Sequence, residues 1–270
     1  MGFRIAVIGG GNMGTAFVSG ILGKGLMQPR ELCVVEPDAR RRGELSRQLG
    51  CEVFEAPCEA IRSSECLLLA VKPQIFPECA DILAPYVDQT PLCVSLMAGV
   101  SLSTLQKNLP VVSSFVRAMP NLAARVCQGV TGYYVGSQLE PETESFLKEI
   151  FASVGFSLRL GSEQLVDACT ALAGSGPGFL FAILEAFVKS GKEFGFTAKE
   201  SEELVSYTVL GSLALWRTSS SSLSDLREQV TSKGGTTEAG LNVFLERDLD
   251  GSIREALTAA FRRAVELSGS

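Results

Sequence analysis

The sequence predicts an α/β protein, with a doubly wound parallel sheet in its first part and an all-helical region after it. Three observations carry that expectation. Up to about Gly161, short apolar runs alternate with segments of helical periodicity. The first of these runs leads through Gly9-Gly10-Gly11-Asn12-Met13-Gly14 straight into a helical pattern. Beyond Gly161 only helical patterns remain. Strands that are apolar on both faces and separated by helices belong in a parallel sheet with a helical layer on each side.

Along the chain, residues 4–8 read as a compact strand rich in β-branched side chains, and 13–24 as a helix ending near Gly25. Residues 32–36 form a second strand, followed by an arginine-rich helix over 39–49. The run 66–71 is a third strand, closed by Lys72-Pro73 because proline cannot extend a ladder. Residues 92–97 form a fourth, closed by Ala98-Gly99, and 111–117 and 130–135 complete the series. Helices are expected over 165–173, 179–194, 198–216, 238–244 and 252–267, with Ser219 to Ser222 as a short polar linker. The segment 179–188 is apolar almost all round and must be covered on nearly every side. Its cover is either a second copy of the chain or the rest of a monomeric bundle.

At 270 residues the chain favours two domains, at roughly 100–200 residues each. The change in texture divides them at 1–161 and 162–270. With 46% hydrophobic and 20% charged residues the composition is globular. A net charge of −6 gives no electrostatic grip on nucleic acid or an anionic membrane. Histidine is absent, which excludes Ser/Cys–His triads, histidine metal sites and imidazole acid–base chemistry. The eight cysteines never fall in a CxxC spacing, and several lie within apolar runs. They read as buried thiols in a reducing cytoplasm, with neither a disulfide framework nor a metal site. No apolar run is expected to reach the ~18 residues that would cross a bilayer.

The glycine turn has the G-x-G-x-x-G form in the context that gives it meaning, after a strand and before a helix. Gly9 permits the tight turn, Gly11 lets a pyrophosphate approach, and Gly14 lets the helix pack on the strand. Asn12 and Met13 open that helix, whose free N–H groups attract phosphate. Glu36, at the end of the second strand, is placed to accept hydrogen bonds from a ribose 2′-hydroxyl. The predicted cofactor is therefore NADH or NADPH. Glu36 favours the first, while Arg40, Arg41 and Arg42 offer a counter-charge for the second. Three further turns fall where open α/β sheets bind ligands. Ala70, Val71, Lys72 and Pro73 close one strand, and Lys72 can reach ribose or phosphate. Ala98 and Gly99 close the next and leave room for a nicotinamide. Asn121, after Met119-Pro120, can meet a carboxamide.

In the second half, Ala173-Gly174-Ser175-Gly176-Pro177-Gly178 interrupts the helical pattern, as a kink or as a platform for a ligand. Ser232-Lys233-Gly234-Gly235-Thr236-Thr237 places consecutive glycines and three hydroxyls at the start of a helix. Exposed amides and hydroxyls in that pattern suit a small carboxylate.

At these residues the sequence resembles the Δ1-pyrroline-5-carboxylate reductase family of proline biosynthesis. The matching segments are 8–14, 70–73, 97–100, 117–121, 170–177 and 230–241, in the family's order and spacing. The resemblance implies a Rossmann-type N-terminal domain and a C-terminal helical dimerisation domain. It also implies an active site shared across a dimer, often within a ring of dimers. The implied activity is reduction of the cyclic imine to L-proline by hydride from NADH or NADPH. The implied substrate residues are Ser175, Ser232, Gly234, Gly235, Thr236 and Thr237, with Thr237 facing the ring nitrogen as the catalytic hydroxyl. Glu163 and Gln229 align with positions that line the proline site. Lys233 stands where the family usually has proline, and Phe179 where it usually has tyrosine. Two other readings of the residues remain: another imine or β-hydroxyacid reductase, the latter wanting a lysine such as Lys189 or Lys192, and a non-catalytic NAD(P)-binding regulator.

Overall fold

Apolar runs with no polar side to show the solvent dictate the centre of the molecule. In the computed structural model, which describes residues 3–88 and 90–269, the first half runs β1 (Ile5–Ile8), α1 (Asn12–Gly23), β2 (Leu32–Val35), α2 (Ala39–Leu49), β3 (Glu52–Phe54), β4 (Cys66–Leu69), α3 (Phe76–Leu83), β5 (Leu92–Ser95), α4 (Leu102–Asn108), β6 (Ser114–Pro120), β7 (Gly129–Val135), α5 (Pro141–Ala152) and β8 (Gly155–Arg159). The second half is α6 (Gln164–Cys169), a π-turn (Thr170–Gly174), α7 (Gly176–Glu193), α8 (Ala198–Thr218), α9 (Leu223–Gln229), α10 (Thr236–Glu246) and α11 (Leu249–Ser268).

The sheet has the order β3-β2-β1-β4-β5-β6-β7-β8. Every residue of β1, β2, β4 and β5 is buried. Alternation splits them between two cores. Ile5 and Val7 join Phe17, Phe151 and Leu147 on one face, while Ala6 and Ile8 join Phe76, Leu105 and Phe115 on the other. Between β1 and β4 the chain reverses its direction of travel across the sheet, and such a switch point opens a crevice at the carboxyl ends of the strands.

Several expectations need correcting. β1 to β6 pair in parallel, but β7 is antiparallel to β6, and β8 pairs parallel with β7. A parallel crossover takes about a dozen residues or more, so the short connection 121–128 can only turn back. The sixth strand begins at Ser114 rather than 111 and carries Met119 and Pro120 inside it. β3 and β8, at the two edges, were not foreseen. Their exposed positions break the apolar run that marks the inner strands.

The glycine-rich stretch after Ala173 does not break the helix. One bond of wider pitch, Ser175 N–H to the Thr170 carbonyl at 2.8 Å, carries it through the π-turn. The result is a continuous 30-residue helix, Gln164–Glu193, with a mean hydropathy of 1.6 over its most apolar 18-residue window. By length and composition alone it suffices to cross a membrane, which corrects the expectation that no segment does.

Contacts divide the chain into two units, Met1–Pro177 with Ala259–Ser270, and Gly178–Thr258. The second unit is helical. Capping boxes start α8 (Thr197 with Glu200) and α9 (Ser222 with Asp225). Among the described residues, 178–258 contribute no buried hydrophobic side chain, while Leu180, Phe181, Phe187, Tyr207 and Leu210 are exposed.

Candidate active site

The turn after β1 is built so that α1 can begin almost on top of it. Gly9 has φ +105°, and a Cβ there would come within 2.7 Å of the Ala70 carbonyl oxygen. A Cβ on Gly14 would overlap the Gly9 carbonyl oxygen, whereas one on Gly11 would meet nothing. The close approaches and the open position fall on the glycines that the motif assigns to them. Gly11 caps α1 with no side chain, and no acid lies in the first turn. The N–H groups of Asn12, Met13 and Gly14 therefore lack an intrahelical acceptor and carry the positive end of the helix dipole.

Glu36 follows β2, and its carboxylate folds onto this turn. It accepts the Gly10 N–H at 3.0 Å and the Asp38 N–H at 3.0 Å. Of the three arginines, Arg41 alone reaches the turn. It donates to the Gly10 carbonyl at 3.0 Å and to Thr15 Oγ1 at 2.9 Å. Arg42 donates to the Glu36 and Pro37 carbonyls and pairs with Glu55, while Arg40 pairs with Glu44 in solvent. Beside the turn lies a largely apolar cavity of about 420 Å³, lined by Gly9, Val35, Pro37, Ala56, Val71 and Ile82 among others. That volume is in the range of ligand sites. The sequence offers Arg41 only as one of three counter-charges and gives no sign of Ala56; the order of the strands makes both neighbours of the turn.

The other turns lie at the same edge. The Ala70 N–H bonds the Ile8 carbonyl at 2.8 Å, which brings Ala70 and Val71 beside Gly9. Lys72, exposed, caps a short 3-10 turn opened by Pro73. Gly99 has φ +69°, in the turn between β5 and α4. Asn121 is already engaged with the protein. Its Nδ2 donates to the Ala173 carbonyl at 3.1 Å, and its Oδ1 accepts the Val130 N–H at 3.1 Å. Each end of the amide makes one bond, joining β6, β7 and the π-turn, and its second N–H remains for a ligand.

Glu163 likewise acts on the protein. Its Oε1 accepts the Leu102 N–H at 2.7 Å and lies 3.4 Å from Arg117 Nη1. Arg117, 1% exposed, also donates to Asp167 Oδ1 at 2.5 Å. Arg117 lies in a segment that carries the resemblance, and an arginine inside a strand signals an acidic partner, but only the fold reveals which. Ser175 ends the π-turn and belongs to the first unit.

In the second unit, Gln229 ends α9 and is exposed. The loop that follows corrects one expectation. Its glycine amides are not free, because Gly234 N–H donates to Glu238 Oε2 at 2.6 Å and Gly235 N–H to the Ser232 carbonyl at 2.9 Å. What the loop offers instead is the first N–H groups of α10, at Thr236 and Thr237, together with the hydroxyls of Ser232, Thr236 and Thr237. Lys189 is exposed and pairs with Glu185 at 3.0 Å, and so does not have the buried setting of a catalytic lysine. Burial pushes the thiols of Cys33, Cys66 and Cys93 well up, so they stay protonated and inert.

A cradle of helix amides at a switch point, with a carboxylate at the end of the neighbouring strand and a helical region beyond, defines a Rossmann-type nicotinamide-dinucleotide oxidoreductase. Comparison with known proteins agrees and goes further. Residues 4–99 match the family described as NADP oxidoreductase, coenzyme F420-dependent, and residues 163–267 match pyrroline-5-carboxylate reductase dimerisation. The pyrroline-5-carboxylate reductase of Synechocystis is 36% identical over 267 residues, covering 99% of each chain. That of Pseudomonas aeruginosa is 31% identical, covering 98% of this chain and 97% of its own. Among solved structures, a pyrroline-5-carboxylate reductase from Coxiella burnetii superposes with a TM-score of 0.87 at 32% identity, covering 99% of each chain. The chain belongs to the pyrroline-5-carboxylate reductase family.

The cradle makes one clear prediction. Gly14→Ala drives a methyl into the Gly9 carbonyl and displaces the start of α1, so NADH affinity measured by calorimetry should fall at least about tenfold, the effect of ~1.4 kcal/mol. Unchanged affinity would show that the dinucleotide binds elsewhere.

Proposed function

We propose that this chain reduces the C=N bond of Δ1-pyrroline-5-carboxylate to L-proline with NADH or NADPH. The observation that carries the reading is the full-length similarity to curated reductases of that name, joined to a glycine cradle open where a pyrophosphate must sit. The amides of residues 12–14 would hold the pyrophosphate and Glu36 the ribose hydroxyls, with the apolar cavity taking the adenine. Bound there, the reduced nicotinamide supplies the hydride. The chain supplies position and charge. A cyclic imine is basic enough to be protonated near neutral pH, so the reaction needs no strong protein acid, in keeping with a chain that has no histidine. The α10 amides and the Ser232 and Thr236 hydroxyls would grip the substrate carboxylate, with Gln229, Gly234 and Gly235 completing its surroundings. Thr237 would orient the ring nitrogen. Holding reactants in line is worth about 7–11 kcal/mol in favourable cases.

Self-association follows from the second unit. A set of helices that buries none of its own hydrophobic side chains needs a partner, and the match to a dimerisation family supports a second copy. We read the oligomer as a dimer that can assemble further into a ring, and the compartment as the cytoplasm, where eight free thiols stay reduced.

Three measurements test these readings. Purified protein should oxidise NADH in the presence of pyrroline-5-carboxylate, and Thr237→Ala should cut kcat about 10²-fold with a smaller change in KM; equal kinetics for the two would remove Thr237 from the mechanism. Glu36 is held by two N–H groups and repels a 2′-phosphate by on the order of 1–4 kcal/mol. NADH should therefore be the better substrate, and Glu36→Ser should shrink its advantage; a wild-type preference for NADPH overturns this. Sedimentation should find at least twice the 28.7 kDa chain mass, and a stable monomer contradicts the oligomer.

A further inference from the structure

Three stretches of the first unit meet around one buried ion cluster. Arg117 lies in β6 directly beside Ser95, the last residue of β5 and the start of the path to Ala98 and Gly99. Its guanidinium is shared between Asp167 of the long helix and Glu163 just before it, and among the described residues the Nε–H finds no acceptor. Glu163 also accepts the Leu102 N–H, the first of α4, at the far end of the same turn. Asp167, 1% exposed, presents its second oxygen to the end of α11. There the Ser268 hydroxyl lies 3.2 Å from Asp167 Oδ2 and 3.0 Å from the Val265 carbonyl, a donor shared between them. The preceding residue, Leu267, packs on the turn although its side chain is half exposed. A Cβ on Gly99 would come within 2.7 Å of Leu267 Cβ and 3.1 Å of the Leu267 carbonyl carbon and oxygen. The turn 96–101 is thus fixed at its start by Arg117, in its middle by Leu267 and at its end by Glu163.

We propose that Ser268 and Leu267, at the end of α11, are positioning residues for the nicotinamide half of the cofactor: Leu267 covers Gly99, and Ser268 ties α11 to the Arg117–Asp167 pair. This rests on the assignment of Ala98 and Gly99 to the nicotinamide. Neither residue touches the reacting atoms. Ser268 acts through Asp167 and the backbone of α11. A hydrogen bond to a buried carboxylate is stronger than one between neutral groups, so its loss lets the end of α11 lift from Gly99.

The test uses the full chain with Ser268→Ala and Ser268→Thr. Calorimetry compares NADH with ADP-ribose, which keeps the adenosine and pyrophosphate but lacks the nicotinamide. Ser268→Ala should weaken NADH about three- to tenfold and leave ADP-ribose unchanged. Threonine, which keeps the hydroxyl, should restore NADH binding. In steady state, KM for NADH should rise in Ser268→Ala while KM for the imine stays constant. Equal weakening of both ligands marks a general loosening and overturns the proposal, as does unchanged NADH binding or failure of threonine to restore it. The calorimetric arms contain no imine, so they are read independently of whether pyrroline-5-carboxylate is the substrate.

Discussion

The contact between Gly14 of α1 and the Gly9 carbonyl is the constraint on which the rest of the site depends. Because no side-chain atom fits between them, the first turn of α1 starts hard against β1, with its unbonded amides at the carboxyl edge of the sheet. Several other candidate cofactor residues of the first unit are placed with respect to that edge. Glu36 closes onto Gly10, Ala70 onto Ile8 and Gly9, and Arg41 onto Gly10 and Thr15. The sheet provides the rigidity: strands buried on both faces cannot shift without moving two cores at once.

Much of this was legible in the sequence, and the reason is local. A β-branched run, a glycine pattern and a following helix are consecutive in the chain, so their meaning survives without tertiary information. β1, β2 and β4 declare themselves because each is wholly apolar, and β5 because only its last residue, Ser95, is polar. β3 and β8 do not, since edge strands keep exposed positions, and the reversal at β7 turns on loop length rather than on any motif. Gly174 and Pro177 look like helix breakers, yet a π-turn and proline's tolerance near the start of α7 let the helix run on.

The site residues divide the same way. Those acting through backbone geometry, Gly9, Gly11 and Gly14, stand where the pattern puts them. Those acting through side chains depend on partners distant in sequence. Asn121 is a free amide in the sequence and a partly engaged one in the fold, because Ala173 and Val130 lie against it. Glu163 points at Arg117 and Leu102 for the same reason. In the loop before α10, Glu238 takes an amide that the glycines were expected to leave open, a contact that spacing alone does not announce.

The second unit differs from the first in what a single chain can complete. With its hydrophobic side chains exposed, it has little interior of its own, and the stability of these helices is tied to protein concentration. Dilution would then act on this protein as a denaturant does on others, loosening the helical second unit while the nucleotide-binding half stays folded. Newly made chains would carry an aggregation risk until they meet a partner, which sets a lower limit on the abundance at which the enzyme works.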